Sequence, residues 1–143
     1  MSSRKEIRDG LLARKISAIV RTDDQSVAEQ AMAAAVEGGF RIIEFTLSTP
    51  GALELITQFR SMDESLLVGA GTVMTPQAAK EAVNSGAQFI VSPVCDPAVI
   101  RKAGEMEVVS IPGTQTPTEM QRAHETGADF VKLFPAPPNV AEY

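Results

Sequence analysis

The stretch Leu66-Leu-Val-Gly-Ala-Gly-Thr72, then Thr75-Pro76, then Gly86-Ala-Gln-Phe89-Ile-Val-Ser92, decides the fold. It reads as a strand, a capped helix, a glycine stop and a second strand. A threonine hydroxyl can accept from an orphan N–H of the first helical turn, and a proline just inside that turn lacks the donor that would go unpaired. Glycine past the last turn adopts a left-handed conformation without a Cβ penalty. Strand, helix and parallel strand in about 25 residues make one β/α unit.

Working outward, the unit recurs. Apolar, β-type runs fall at 16–21, 40–46, 66–72, 88–92, 107–111 and 129–134. All but the last are followed by helix-type sequence. Thr49-Pro50, Thr75-Pro76, Asp96-Pro97 and Thr116-Pro117 mark helix starts, and Glu119 completes a capping box with Thr116. Gly39, Gly86, Gly104 and Gly127 mark helix ends. A further helix precedes the first strand, capped by Ser3, with Ile7, Leu11 and Leu12 on one face. No linker or low-complexity segment divides the chain, so residues 1–143 read as a single domain.

This cadence leaves two α/β architectures, a doubly wound sheet or a closed barrel. A dinucleotide-binding sheet wants G-x-G-x-x-G after its first strand. Here that strand leads into Arg21-Thr-Asp-Asp24, and Gly69-Ala-Gly71 sits at the third strand without a third glycine. No phosphate-binding G-x-x-x-x-G-K-[ST] occurs. The even spacing favours a barrel.

Composition narrows the function. The 143 residues are 44% hydrophobic and 22% charged, enough for one core. A net charge of −5 without a clustered basic face argues against nucleic acid as a partner. No apolar run reaches the roughly 18 residues of a membrane span, and no apolar segment follows the charged start as in a secretory signal. The single cysteine, Cys95, fits a reducing, cytoplasmic setting, and the single histidine, His124, argues against a multi-histidine metal site. Cys95 lacks a neighbouring base, and His124 reads as solvated helix surface.

In a parallel barrel the inward residues at C-terminal strand ends carry the chemistry. Two ionisable residues have that placement. Lys132 lies between Phe130 and Phe134 on one strand face, and Glu44 lies between Ile42 and Thr46 on another. A lysine that loses hydration favours its neutral, nucleophilic form, which carbonyl attack requires. The alternative is a lysine that snorkels to solvent or pairs with an acid. Glu44 could shuttle protons, or it could merely pair with an arginine. Thr72, on the face read for Val68 and Ala70, together with Ser92-Pro93, Pro112-Gly113 and Arg21, ends other strands; Arg21 could hold an anion.

Five motifs then stand together in order: Arg41-Ile-Ile-Glu44-Phe-Thr, Val68-Gly-Ala-Gly-Thr72-Val, Phe89-Ile-Val-Ser-Pro93, Ile111-Pro-Gly-Thr-Gln-Thr-Pro-Thr-Glu119 and Val131-Lys-Leu-Phe-Pro-Ala136. In these the chain, from about residue 10 to 136, resembles the KDPG/KHG aldolases. These are class I, metal-independent lyases acting on 2-keto-3-deoxy-6-phosphogluconate and 4-hydroxy-2-oxoglutarate. The resemblance implies a (β/α)8 TIM barrel and reversible cleavage of a 2-keto-4-hydroxy acid to pyruvate and an aldehyde. It implies Lys132 as the Schiff-base lysine, Glu44 as the general acid/base, and Thr72, Pro93 and Phe134 around the pyruvate. No cofactor or metal is implied, and the partners are a small keto acid and other copies, often in a trimer. The alternative is a non-catalytic barrel relative that binds a keto acid or anion.

Two departures accompany the resemblance. Many members carry an arginine four or five residues after the glutamate, where this chain has Ser48-Thr49, so the anion role is expected of Arg21. The family barrel has eight strands, and its phosphate-binding glycines come from the last two, whereas six strands are read here. Two further units would take on the order of 45–60 residues. The expectation is that Met1–Tyr143 represents part of a longer aldolase, rather than a shortened chain or one completed by another chain.

Overall fold

The computed structural model describes residues 3–140; Met1, Ser2 and the last three positions, through Tyr143, lie outside the described residues. Six helices and six strands alternate: α1 (Arg4–Arg14), β1 (Ala18–Val20), α2 (Gln25–Glu37), β2 (Ile42–Thr46), α3 (Ala52–Met62), β3 (Leu67–Gly71), α4 (Pro76–Asn84), β4 (Phe89–Ser92), α5 (Pro97–Glu105), β5 (Val109–Thr114), α6 (Pro117–Thr126) and β6 (Lys132–Leu133). All neighbouring strands are parallel, in the spatial order β1-β2-β3-β4-β5-β6. Spatial order that follows chain order, without a reversal, is the barrel alternative and excludes the doubly wound one. The sheet curls into a half-barrel with β1 and β6 at its two edges.

Alternation along the strands separates two apolar layers. Ile43 and Phe45 of β2, Val68 and Ala70 of β3 and Ile90 of β4 face the helices, packing on Met32, Leu55, Ile56, Phe59 and Val99. Phe45 and Phe59 meet as tilted rings 5.2 Å apart. The inner layer is Ile42, Leu67, Phe89, Val91 and Val109, closed below by Ile7 of α1 and flanked by Leu11, Ile111 and Phe130. Strands buried on both faces explain the near-continuous apolar runs. Leu12, expected on the packed face of α1, is half exposed.

The helix signals hold at most ends. Thr75, Asp96 and Thr116 each accept a hydrogen bond from a first-turn N–H, and Ser3 and Thr116 form capping boxes with Glu6 and Glu119. Gly39, Gly86 and Gly127 take left-handed conformations after their helices. Two signals misled. Thr49 does not cap α3; its hydroxyl accepts from the Thr22 N–H, and Gly51, at φ 71°, stands at the N-cap. Gly104 lies inside α5, and Glu107 takes the left-handed position, at φ 56°.

One ion pair joins distant parts of the chain. Asp129, just before β6, accepts from Arg4 Nε and Nη2 and from the Ser110 N–H. It pins α1 under β5 and β6, closing the lower end of the half-barrel.

Candidate functional site

The inner face of the half-barrel and the C-terminal end of α1 line an open cavity of about 510 Å³. Its lining is mostly apolar, from Ile19, Ile42, Phe89, Val91, Ile111 and Phe130, with Leu11, Leu12 and Lys15 of the α1 end below. Two ionisable strand residues reach the same space, Glu44 of β2 and Lys132 of β6. The parity read from the sequence for both is therefore the parity of the fold.

Glu44 is 4% exposed, and burial raises its carboxyl above the ordinary glutamate range, opposed by the nearby charges of Lys132 and Arg21. No described residue hydrogen-bonds to the carboxylate or pairs with it within 4 Å. A charge removed from water and left without a partner holds its proton more tightly. Lys132 is half-buried rather than enclosed, with its ammonium 4.6 Å from the centroid of the Phe134 ring. Phe134 is 40% exposed and serves as a wall for the lysine, not as a lid over the cavity.

The lesser candidates divide. Arg21 follows β1, is exposed, and donates from Nη2 to Thr72 Oγ1 at 3.0 Å. Thr72 does not share the face of Val68 and Ala70. Those residues face the helices, while Thr72 leaves the strand at φ 58°, a strained conformation for a β-branched residue, and its hydroxyl meets Arg21. Pro93 is half-buried beyond β4, with its carbonyl packed where Gly113 has no Cβ, and it does not line the cavity. The structure thus brings Glu44 and Lys132 to one cavity, sets the Arg21–Thr72 pair beside Glu44, and leaves Pro93 at the rim.

Sequence reading missed two features. The hydroxyls of Thr46, Ser48 and Thr49 cluster at 3.1 and 3.2 Å at the end of β2. The pair Gly69 and Gly71 forms a strip without side chains on the inner face of β3. The Gly-Ala-Gly spacing is the available signal, and in the sequence it reads as an incomplete nucleotide-binding motif and as part of a family motif, not as room for a neighbouring side chain. Elsewhere, Cys95 is partly buried, which raises its thiol above the usual range, and His124 is exposed, as read. Among the described residues no cluster of three or more His, Cys, Asp or Glu could hold a metal, and no helix is long and apolar enough to cross a membrane.

A curled parallel β/α sheet with a lysine and a carboxylate on its inner face defines the class: a barrel-type α/β protein with an apolar, amine-bearing pocket. Comparison with known proteins narrows it. The KDPG and KHG aldolase family model matches residues 7–140, and the chain belongs to that family. The 2-dehydro-3-deoxy-phosphogluconate aldolase of Treponema pallidum is 43% identical over 103 residues, which are 72% of this chain and 49% of that protein. The 2-keto-3-deoxy-6-phosphogluconate aldolase of Zymomonas mobilis, solved with 3-phosphoglycerate, superposes with a TM-score of 0.82 at 28% identity, covering 94% of this chain and 64% of that one. The KDPG aldolase of Legionella pneumophila, captured with pyruvate as a covalent carbinolamine, gives a TM-score of 0.77 at 26% identity, covering 91% and 63%. The chain spans about half the length of the curated relatives it matches.

Proposed function

We propose that the protein is a class I aldolase that cleaves a 2-keto-4-hydroxy acid to pyruvate and an aldehyde. The observation that carries the reading is the meeting of Lys132, on the edge strand β6, and Glu44, on β2 near the other edge, in one apolar cavity. The carbinolamine captured in the Legionella relative supports amine chemistry on pyruvate in this family.

In this mechanism the Lys132 amine adds to the C2 carbonyl, and loss of water leaves an iminium. Glu44 takes the proton of the C4 hydroxyl through a water molecule. The C3–C4 bonding electrons move into the iminium, giving an enamine, and C4 leaves as the aldehyde carbonyl. Protonation of C3 and hydrolysis of the resulting iminium return pyruvate and the free amine. A carboxyl whose proton affinity is raised by burial is better suited than an ordinary glutamate to both giving and taking that proton. Arg21, held by Thr72, supplies a cation for the substrate's anionic end, and Phe134, beside the Lys132 amine, borders the bound pyruvate, with Pro93 set back from it.

The same proposal extends to the whole protein. It is a single-domain, eight-unit barrel working as a cytoplasmic homo-oligomer, a trimer as in the family, with a small keto acid as substrate and no cofactor. The test is reduction with borohydride in the presence of pyruvate, followed by peptide mass spectrometry. A reduced pyruvyl adduct on Lys132 is expected, and Lys132→Ala should abolish it. A folded protein that forms no adduct refutes the aldolase. An adduct without aldehyde release from any 2-keto-4-hydroxy acid would instead identify a keto-acid binder.

A further inference from the structure

The inner face of β3 carries Leu67, Gly69 and Gly71, and each glycine leaves space that a neighbouring strand fills. A Cβ at Gly69 would collide with the Phe89 ring of β4. A Cβ at Gly71 would collide with the carboxylate of Glu44 from β2. The three heavy atoms nearest that Cβ all belong to Glu44: Oε1, then Cδ at 2.8 Å and Cγ at 3.1 Å. Glu44 pairs in register with Gly69, so its side chain leans along the strand and ends two residues further on. Gly71 is not among the positive-φ glycines, so its lack of a side chain matters there rather than any special backbone freedom.

We propose that Gly71 is a positioning residue for Glu44, and that its bare Cα is the seat that holds the carboxylate against β3 and apart from Lys132. The proposal rests on the aldolase reading of Lys132 and Glu44. Its logic is steric and electrostatic together. The cations that face Glu44 are Lys132 of β6 and Arg21 beyond β1, and neither is within ion-pair distance among the described contacts. A methyl group on residue 71 drives the carboxylate off β3 and into the cavity, toward those cations. An ion pair with Lys132 would keep the amine charged and unable to attack, and it would take the carboxylate from the substrate hydroxyl.

Gly71→Ala tests this. Turnover is expected to fall about 100-fold or more, the scale of a misplaced acid/base, while KM moves far less. The acidic limb of the rate profile should shift to lower pH, because the displaced carboxyl is better solvated and nearer positive charge. Combining the change with Glu44→Asp, whose shorter side chain vacates the collision, should cost no more than Glu44→Asp alone; multiplicative losses would overturn the proposal. A thermal cycle reads the contact without turnover. Gly71→Ala should lower Tm in the parent but much less in a Glu44→Ala background, and equal losses would overturn the contact. If Gly71→Ala does not fold, recovery of folding by Glu44→Ala decides the same question. Failure of the borohydride adduct in the parent protein would remove the aldolase reading, whereas an adduct with an unmoved pH limb in Gly71→Ala would remove only Gly71's role.

Discussion

Replacing Glu44 with glutamine should make the protein slower and more stable at once, and the two effects have separate physical origins. The carboxyl is buried, and burial is the dominant cause of its raised proton affinity, with Lys132 and Arg21 only partly offsetting it. A group whose folded pKa lies above its unfolded value favours the fold fully at pH below the unfolded value. That contribution is lost as pH rises through the folded pKa. Each unit of displacement costs about 1.4 kcal/mol once the group is ionised. Glutamine keeps the shape and carries no charge to desolvate, so the Glu44→Gln variant escapes the loss. For a domain of this size about 1 kcal/mol moves Tm by roughly 2–4 °C or somewhat more. The difference in Tm between Glu44→Gln and the parent should therefore be small in acid, where both side chains are neutral, and grow as pH rises above the ordinary glutamate range. Turnover should drop about 10²–10⁴-fold, equivalent to roughly 3–5 kcal/mol of barrier. Calorimetry at several pH values and a coupled pyruvate assay measure the two parts. A Tm gain that does not change with pH would refute the desolvation argument, and near-parental turnover would refute the acid/base role.

Arg21→Ala should raise KM for an anionic keto acid about tenfold with a smaller change in kcat, because it removes a binding cation rather than a reacting group; an unchanged KM would take Arg21 out of the site. Asp129→Ala should cost about 1–3 kcal/mol in denaturant unfolding, since it leaves the Ser110 N–H without its acceptor and the Arg4 guanidinium with only the Gly127 carbonyl. A loss under about 0.5 kcal/mol, the range of ordinary surface changes, would mean that the α1 anchor is solvated in practice.

Most of the fold is legible in local signals because each β/α unit announces both of its ends. Thr75, Asp96 and Thr116 cap the helices they precede, so the boundaries need no tertiary information. The signals fail where a long-range partner takes the capping atom. Thr49 has the right residue type before a proline, but the Thr22 N–H occupies its hydroxyl, and α3 begins later. Strand β5 runs to Thr114, beyond the expected end at 111, because Gly113 and Thr114 pair with Lys132 and Leu133. Pro112-Gly113 reads locally as a turn, and only the neighbouring strand makes it extended. At the other side of that pairing, the expected strand 129–134 shortens to Lys132–Leu133, since the N–H groups of Asp129 and Phe130 both turn to the Ser110 carbonyl.

The site follows a different rule from the fold. Alternation puts Glu44 and Lys132 on the inner face, as the structure does, because Glu44 lies inside a regular β2 and Lys132 opens the short paired stretch of β6. It misplaces Thr72 because the strand stops being regular one residue earlier. At φ 58° Thr72 no longer follows the pleat, and no period-two argument can anticipate which way its hydroxyl then points. A left-handed threonine costs about 1–3 kcal/mol and persists only where the surroundings hold it. Here Arg21 bonds the hydroxyl and the Val73 N–H bonds the Val91 carbonyl across the sheet. The residue before this bend, Gly71, is the one whose missing side chain makes room for Glu44. Two adjacent residues at the end of β3 therefore bear on both charged neighbours, one by contact and the other by absence. Local regularity breaks at the point where the proposed chemistry needs an arginine and a carboxylate held side by side without pairing, which is the kind of place where a consistent sequence is expected to depart from its own pattern.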